Sequence, residues 1–132
     1  MTIAMKALSF KEVSPQCYQI TVQEESRNAV NMLVDYLEIV GNTDKRHIAV
    51  MLDMCSVNTL PVDQFVQRAK LSQSKLDYKT LPYIKLAIVY QRVTPFVHAA
   101  SSFMRNLNPS KVTVHFYDCN ASYQAWDWLN KN

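Results

Sequence analysis

The chain has 132 residues, one domain's length, with 48% hydrophobic and 19% charged residues, which excludes a disordered segment and suffices for a buried core without staples. Its one glycine is Gly41, so neither a P-loop nor a dinucleotide fingerprint can be written, since each needs several glycines. A net charge of +3 is too small to argue for nucleic acid.

Charge and cysteine placement add a little. Residues 1–60 carry five Lys/Arg against seven Asp/Glu, and residues 61–132 carry nine against four. Arg68, Lys70, Lys75, Lys79 and Lys85 fall within eighteen residues. The ordinary account is a solvated helix face and loop; the functional one is a surface meeting an acidic partner, an anionic lipid headgroup or a phosphate. Cys17, Cys55 and Cys119 are odd in number and widely spaced, which predicts reduced thiols in a cytoplasmic protein rather than a disulfide framework or a zinc site. The first ten residues lack the pattern of a signal peptide. No apolar run approaches the ~20 residues that span a bilayer.

The first predicted element lies within Ile3 to Val13 and ends at Ser14-Pro15, a turn signal. Tyr18, Ile20 and Val22 alternate with Gln19 and Thr21, a strand pattern. Together they read as an N-terminal hairpin whose turn is not of the two-residue type. Ser26 caps a helix over 26–40, with Val30, Leu33, Leu37 and Val40 on one face and Gly41 as its left-handed C-terminal residue. His47 to Asp53 is a short apolar run, as in a strand buried on both faces. Pro61 opens a helix over about 61–76, with Val62, Phe65, Val66, Ala69 and Leu76 on one face. A second buried strand runs from Ile84 to Tyr90. Thr94 caps a helix begun by Pro95, with Phe96, Ala99, Ala100, Phe103 and Leu107 facing the core. Val112 to Tyr117 alternates as a strand. Asp118 or Asn120 caps a final helix that holds Ala121, Ala125, Trp128 and Leu129. The order β-β-α-β-α-β-α-β-α predicts an α/β domain with a single mixed, mostly parallel five-stranded sheet and four helices.

That order, the run Lys85 to Tyr90, and Val112 to Asp118 followed by Ala125-Trp-Asp-Trp-Leu129 resemble STAS-like domains, relatives of the bacterial anti-sigma-factor antagonists. The closing strand and the Trp-Leu pair are the most specific part. The resemblance implies a non-enzymatic regulatory domain that works by protein–protein contact, without a cofactor. In the antagonists the loop after the third strand carries an Asp-Ser whose serine is phosphorylated. Here that loop reads Asp53 to Pro61. Asp53 matches the strand-end aspartate, and Ser56 or Thr59 stands near the phosphoacceptor. Neither follows an aspartate, and the family's glycine is missing, which favours a diverged branch.

Open α/β sheets bind ligands at the carboxyl ends of their parallel strands, and helix N-termini there favour anions. The candidate anion or switch site is therefore Asp53, Ser56, Asn58, Thr59, Arg92 and Thr94. The ordinary account is that Thr59 and Thr94 cap helices and Asp53 ties a turn. Cys55 is a possible nucleophile with His98 or His115 as base, but no spacing brings them together. Tyr117, Tyr123, Trp126 and Trp128 lack interleaved cations and read as packing residues rather than a nucleic-acid platform. Trp126 and Trp128 cannot share a helix face, so one is half exposed and points to a partner or a homodimer contact. The alternative function is binding of a small ligand or an anionic lipid surface through the basic 68–85 stretch.

Overall fold

The computed structural model describes residues 7–75 and 80–131. The strands are β1 (Leu8–Ser14), β2 (Cys17–Val22), β3 (His47–Asp53), β4 (Tyr83–Tyr90) and β5 (Val112–Asp118). The helices are α1 (Arg27–Gly41), α2 (Val62–Gln73), α3 (Pro95–Leu107) and α4 (Ser122–Leu129), with a short 3-10 turn over Cys119–Ala121. One sheet holds all five strands in the order β1-β2-β3-β4-β5. β1 pairs antiparallel with β2 and every other pairing is parallel. The α/β class, the mixed sheet and the four helices match the expectation from element order.

The two faces of the sheet are covered unequally. Ile20 and Val22 of β2, Ile48, Val50 and Leu52 of β3, Ile84, Leu86 and Ile88 of β4, and Val112 and Val114 of β5 join α1, α2 and α3 in the main core. The alternate residues Met51, Ala87 and Val89 form a second, small core with Ala125 and Leu129 of α4. Side chains alternate along a strand, so a strand with apolar residues on both faces needs cover on both. β1 and β2 put Ser9, Lys11, Gln19 and Thr21 on the α4 side, and there the sheet needs no helix.

Several local expectations are corrected. Ser14 pairs with Cys17, so the hairpin closes through a two-residue turn after all, with Gln16 at φ 66°. Proline in the first turn position followed by a positive φ is the type II geometry. Gly41 is not a left-handed cap: it is buried in the last turn of α1, and no glycine has positive φ. Here the absent side chain, not backbone freedom, suits the position. Val66 faces outward at 38% exposure, because the buried line of α2 runs Phe65, Ala69, Ser72. α2 ends at Gln73, and Leu76 lies outside the described residues. Asp118 does cap, but it caps the 3-10 turn, accepting from Asn120 N–H at 2.9 Å; α4 has no side-chain cap. Trp126 and Trp128 are both half-buried, each packed on the flank of the second core.

The expectation of reduced thiols is overturned. Cys55 and Cys119 form a disulfide across 64 residues, with Cα atoms 5.9 Å apart. The inference from odd number and spacing failed because the pairing is tertiary: the loops after β3 and β5 meet over the end of β4. Cys17 is free and buried.

Candidate functional site

The carboxyl edge, where the sequence reading set the anion site, is occupied by the protein's own groups. Glu25, just before α1, reaches across the edge. One oxygen of its carboxylate accepts from Asn58 N–H at 3.0 Å and from Thr59 N–H at 2.9 Å. The loop therefore presents its amides to an anion, but the anion is a side chain. Asp53 accepts from Cys55 N–H at 2.9 Å, tying the turn. The Gln91 side-chain amide donates to the Cys55 carbonyl. Thr94 caps α3, its hydroxyl accepting from Val97 N–H at 3.4 Å. Thr59 does not cap α2, whose N-cap is Pro61; its hydroxyl donates to the Leu60 carbonyl at 3.4 Å. Ser56, Asn58, Thr59 and Arg92 are exposed.

Of the expected residues, then, Asp53 to Thr59 share one loop, and Gln91 rather than Arg92 reaches it. The disulfide engages the Cys55 sulfur, so the nucleophile considered for it is not a free thiol. The basic stretch also comes apart. Arg68 pairs with Asp35, and Lys75 lies 3.9 Å from Glu38, both on α1. Lys85 is on the other face of the sheet, and Lys79 lies outside the described residues.

The opposite edge carries a cleft of about 580 Å³. It opens at the amino ends of β3, β4 and β5, on the α4 side. The β1–β2 turn (Ser14, Gln16, Cys17) forms one wall, and Leu129, Asn130 and Lys131 at the end of α4 form the other. His47, Ala49, Tyr83, Lys85, Ser110, Lys111 and Thr113 line the floor and rim. Three lysines and a histidine thus line it, with no Asp or Glu among the lining residues.

Two of the lysine cations are held in place. Lys85 stands in an otherwise apolar strand and donates to the carbonyls of Trp128, at 3.2 Å, and Lys131. It thereby adds a donor to the Trp128 carbonyl, which also accepts from Lys131 N–H at 3.3 Å, and places positive charge at the negative helix pole. Its ammonium also lies 5.4 Å from the Trp128 ring centre, which is stacked on His115 at 3.9 Å. Lys111 donates to the Leu81 carbonyl at 2.8 Å and sits 5.6 Å over Tyr83, whose ring stacks on His47 at 5.3 Å. Burial pushes the Cys17 thiol up, against a smaller lowering by its hydrogen bond with Ser14, so this wall of the cleft carries an inert thiol rather than a thiolate. A second, polar cleft of about 500 Å³ lies next to the first, sharing Tyr83 and Lys111 and lined also by Asp44, Lys45 and Arg46.

The sequence reading missed this cleft because its residues are scattered in the chain and gather only where three strands begin. One signal was available: Lys85 is the single charge within Tyr83 to Tyr90, a run in which Ile84 and Leu86 to Val89 are buried. Among the described residues no group of His, Cys, Asp and Glu could hold a metal ion, and no helix is long and apolar enough to cross a membrane. Compared with protein families, curated proteins and solved structures, the chain matches none of them.

Proposed function

We propose that this protein is a non-enzymatic binding domain that takes a small organic anion, a phosphate or carboxylate ester or acid, in the amino-edge cleft. The single observation that carries the reading is the lining: lysines from β4, the β5 approach and the α4 end converge on one concavity with no Asp or Glu among its described lining residues. A concave site with a few convergent polar groups is the usual form of a small-molecule site. Ser14, Ser110, Thr113 and Asn130 add neutral hydrogen-bonding groups that would fix orientation. The test is titration of the 15N-labelled chain with inorganic phosphate, then with small organic phosphates and dicarboxylates. Shifts at Ser14 to Cys17, Ser110, Thr113 and Asn130 are expected, weakened by salt and weakened about tenfold in Lys131→Gln. Shifts confined to residues 56–59, or none, would overturn it. Acidic vesicles in a parallel arm separate a free ligand from a lipid headgroup.

A second reading rests on the element order and on the closing strand–helix. It is a diverged STAS-like regulatory domain that meets a protein partner or a second copy of itself in the cytoplasm. Leu129 is buried and Trp128 packs on His115, in keeping with the Trp-Leu pair of that group. Ser56 and Thr59 are exposed, and the N–H of Thr59 donates to Glu25. A phosphate on either would repel that carboxylate and free the loop amides. Ser56→Asp and Thr59→Asp should then change self-association in sedimentation. Equal behaviour of both variants and the wild type removes the switch.

A further inference from the structure

We propose that the Cys55–Cys119 disulfide is a thiol–disulfide switch that controls the amino-edge cleft through α4; this rests on the reading of that cleft as an anion site. The connection is physical. The 3-10 turn that begins at Cys119 leads directly into α4, so the disulfide pins the start of the helix to the loop after β3. The other end of α4 supplies Leu129, Asn130 and Lys131 to the cleft wall. One short rigid element spans the sheet from the crosslink to the site.

Little else holds that element down. α4 has eight residues, of which only Ala125 and Leu129 are fully buried, whereas α1 and α3 each bury seven. An isolated helix shorter than ~12–15 residues is marginal in water. It has no side-chain cap at its start. The other anchors are the Lys85 bonds to the Trp128 and Lys131 carbonyls, the contacts of Trp128 with His115 and Tyr117, and Trp126 on the flank of the second core. Both sulfurs belong to half-buried rather than fully buried residues, one on the loop after β3 and one in the 3-10 turn.

The reductant is a dithiol protein or small dithiol. One of its thiolates attacks a sulfur of the disulfide, forming a mixed disulfide and releasing the other cysteine as a thiolate, which takes up a proton. The donor's second thiolate then attacks the mixed disulfide and releases the first cysteine. Two electrons pass, the donor becomes a disulfide and Cys55 and Cys119 become thiols. α4 then keeps its small apolar seat, the Lys85 bonds and the Trp128–His115 stack but loses the crosslink at its start, and the wall bearing Lys131 loosens.

The test compares the full chain oxidised, reduced with dithiothreitol, and as Cys55→Ser/Cys119→Ser, by amide hydrogen exchange and by titration with inorganic phosphate. On reduction, the α4 amides should exchange on the order of tenfold faster while those of β3 and β4 stay protected, and phosphate should bind about tenfold more weakly. Reoxidation should restore both, which separates a switch from damage caused by the substitutions. Equal α4 protection and equal phosphate affinity in the two redox states overturn the switch and leave the cleft reading intact. Phosphate binding to neither form overturns the cleft reading and the switch with it.

Discussion

The two edges of the sheet answer the same physical demand in opposite ways. At the carboxyl edge, strand ends and helix starts expose N–H groups that attract negative charge. The chain supplies that charge itself, as the Glu25 carboxylate on Asn58 and Thr59 and the Asp53 carboxylate on Cys55, and then crosslinks the loops. At the amino edge the excess is of positive charge, from Lys85, Lys111 and Lys131 around a cleft with no Asp or Glu among its described lining residues. The rule that ligands bind at carboxyl ends belongs to the crevice where strand order reverses. Here the order runs β1 to β5 without reversal, and the one place where neighbouring connections leave for opposite faces, after β4 and β5, lies under the disulfide.

The largest expected effect comes from cutting the carboxyl edge open. Cys55→Ser/Cys119→Ser removes a crosslink across 64 residues, and urea unfolding should show a loss of about 2–4 kcal/mol. A loss under about 0.5 kcal/mol would mean that the two loops hold each other without the bond, and the contrast between a clamped edge and an open one would fail. Next, Lys85→Met acts on the amino edge. It leaves the Trp128 and Lys131 carbonyls without their ammonium partner and should cost about 1–2 kcal/mol, with faster amide exchange confined to the end of α4. An unchanged exchange pattern would show that Lys85 does not anchor this wall.

Smaller again is Glu25→Ala. Its bonds to Asn58 and Thr59 are solvent-exposed, so the loss should be about 1 kcal/mol. Its value lies in the comparison: with the internal carboxylate gone, added phosphate should shift the amides of Asn58 and Thr59, which it leaves alone in the wild type. If phosphate shifts them equally in both proteins, Glu25 does not occupy the site.

These contrasts explain what could be read from the chain. The elements were legible because both faces of the sheet are written in local periodicity: the unbroken apolar runs of β3 and β4, the one-sided β2, and the Ser26 and Thr94 caps, which both form as expected. The choice of edge was not legible. Glu25 lies 33 residues before Asn58, and nothing local marks that the two meet. The disulfide and the three lysines of the cleft depend likewise on strand order, which the sequence of elements leaves open. Gly41 shows the reverse error. A rule about glycine at helix ends predicted a left-handed residue, but the helix continues through it and the left-handed position falls to a glutamine.

That glutamine gives the smallest prediction. Gln16 has φ 66°, where a side chain with a Cβ carries a penalty of about 1–2 kcal/mol that glycine avoids. The Gln16 carbonyl accepts from Ala49 N–H at 2.9 Å, so the strained turn is fastened to β3 at the rim of the cleft. Gln16→Gly should relieve the strain, offset in part by the greater freedom of glycine in the unfolded chain, and should stabilise the protein by roughly 0.5 kcal/mol. Gln16, however, is one of the residues that line the cleft. If the strain is kept because the amide contacts the bound anion, the same substitution should weaken phosphate binding while raising the unfolding midpoint. A variant that gains stability and binds phosphate as well as the wild type would leave Gln16 a turn residue only, with the anion held by the lysines opposite.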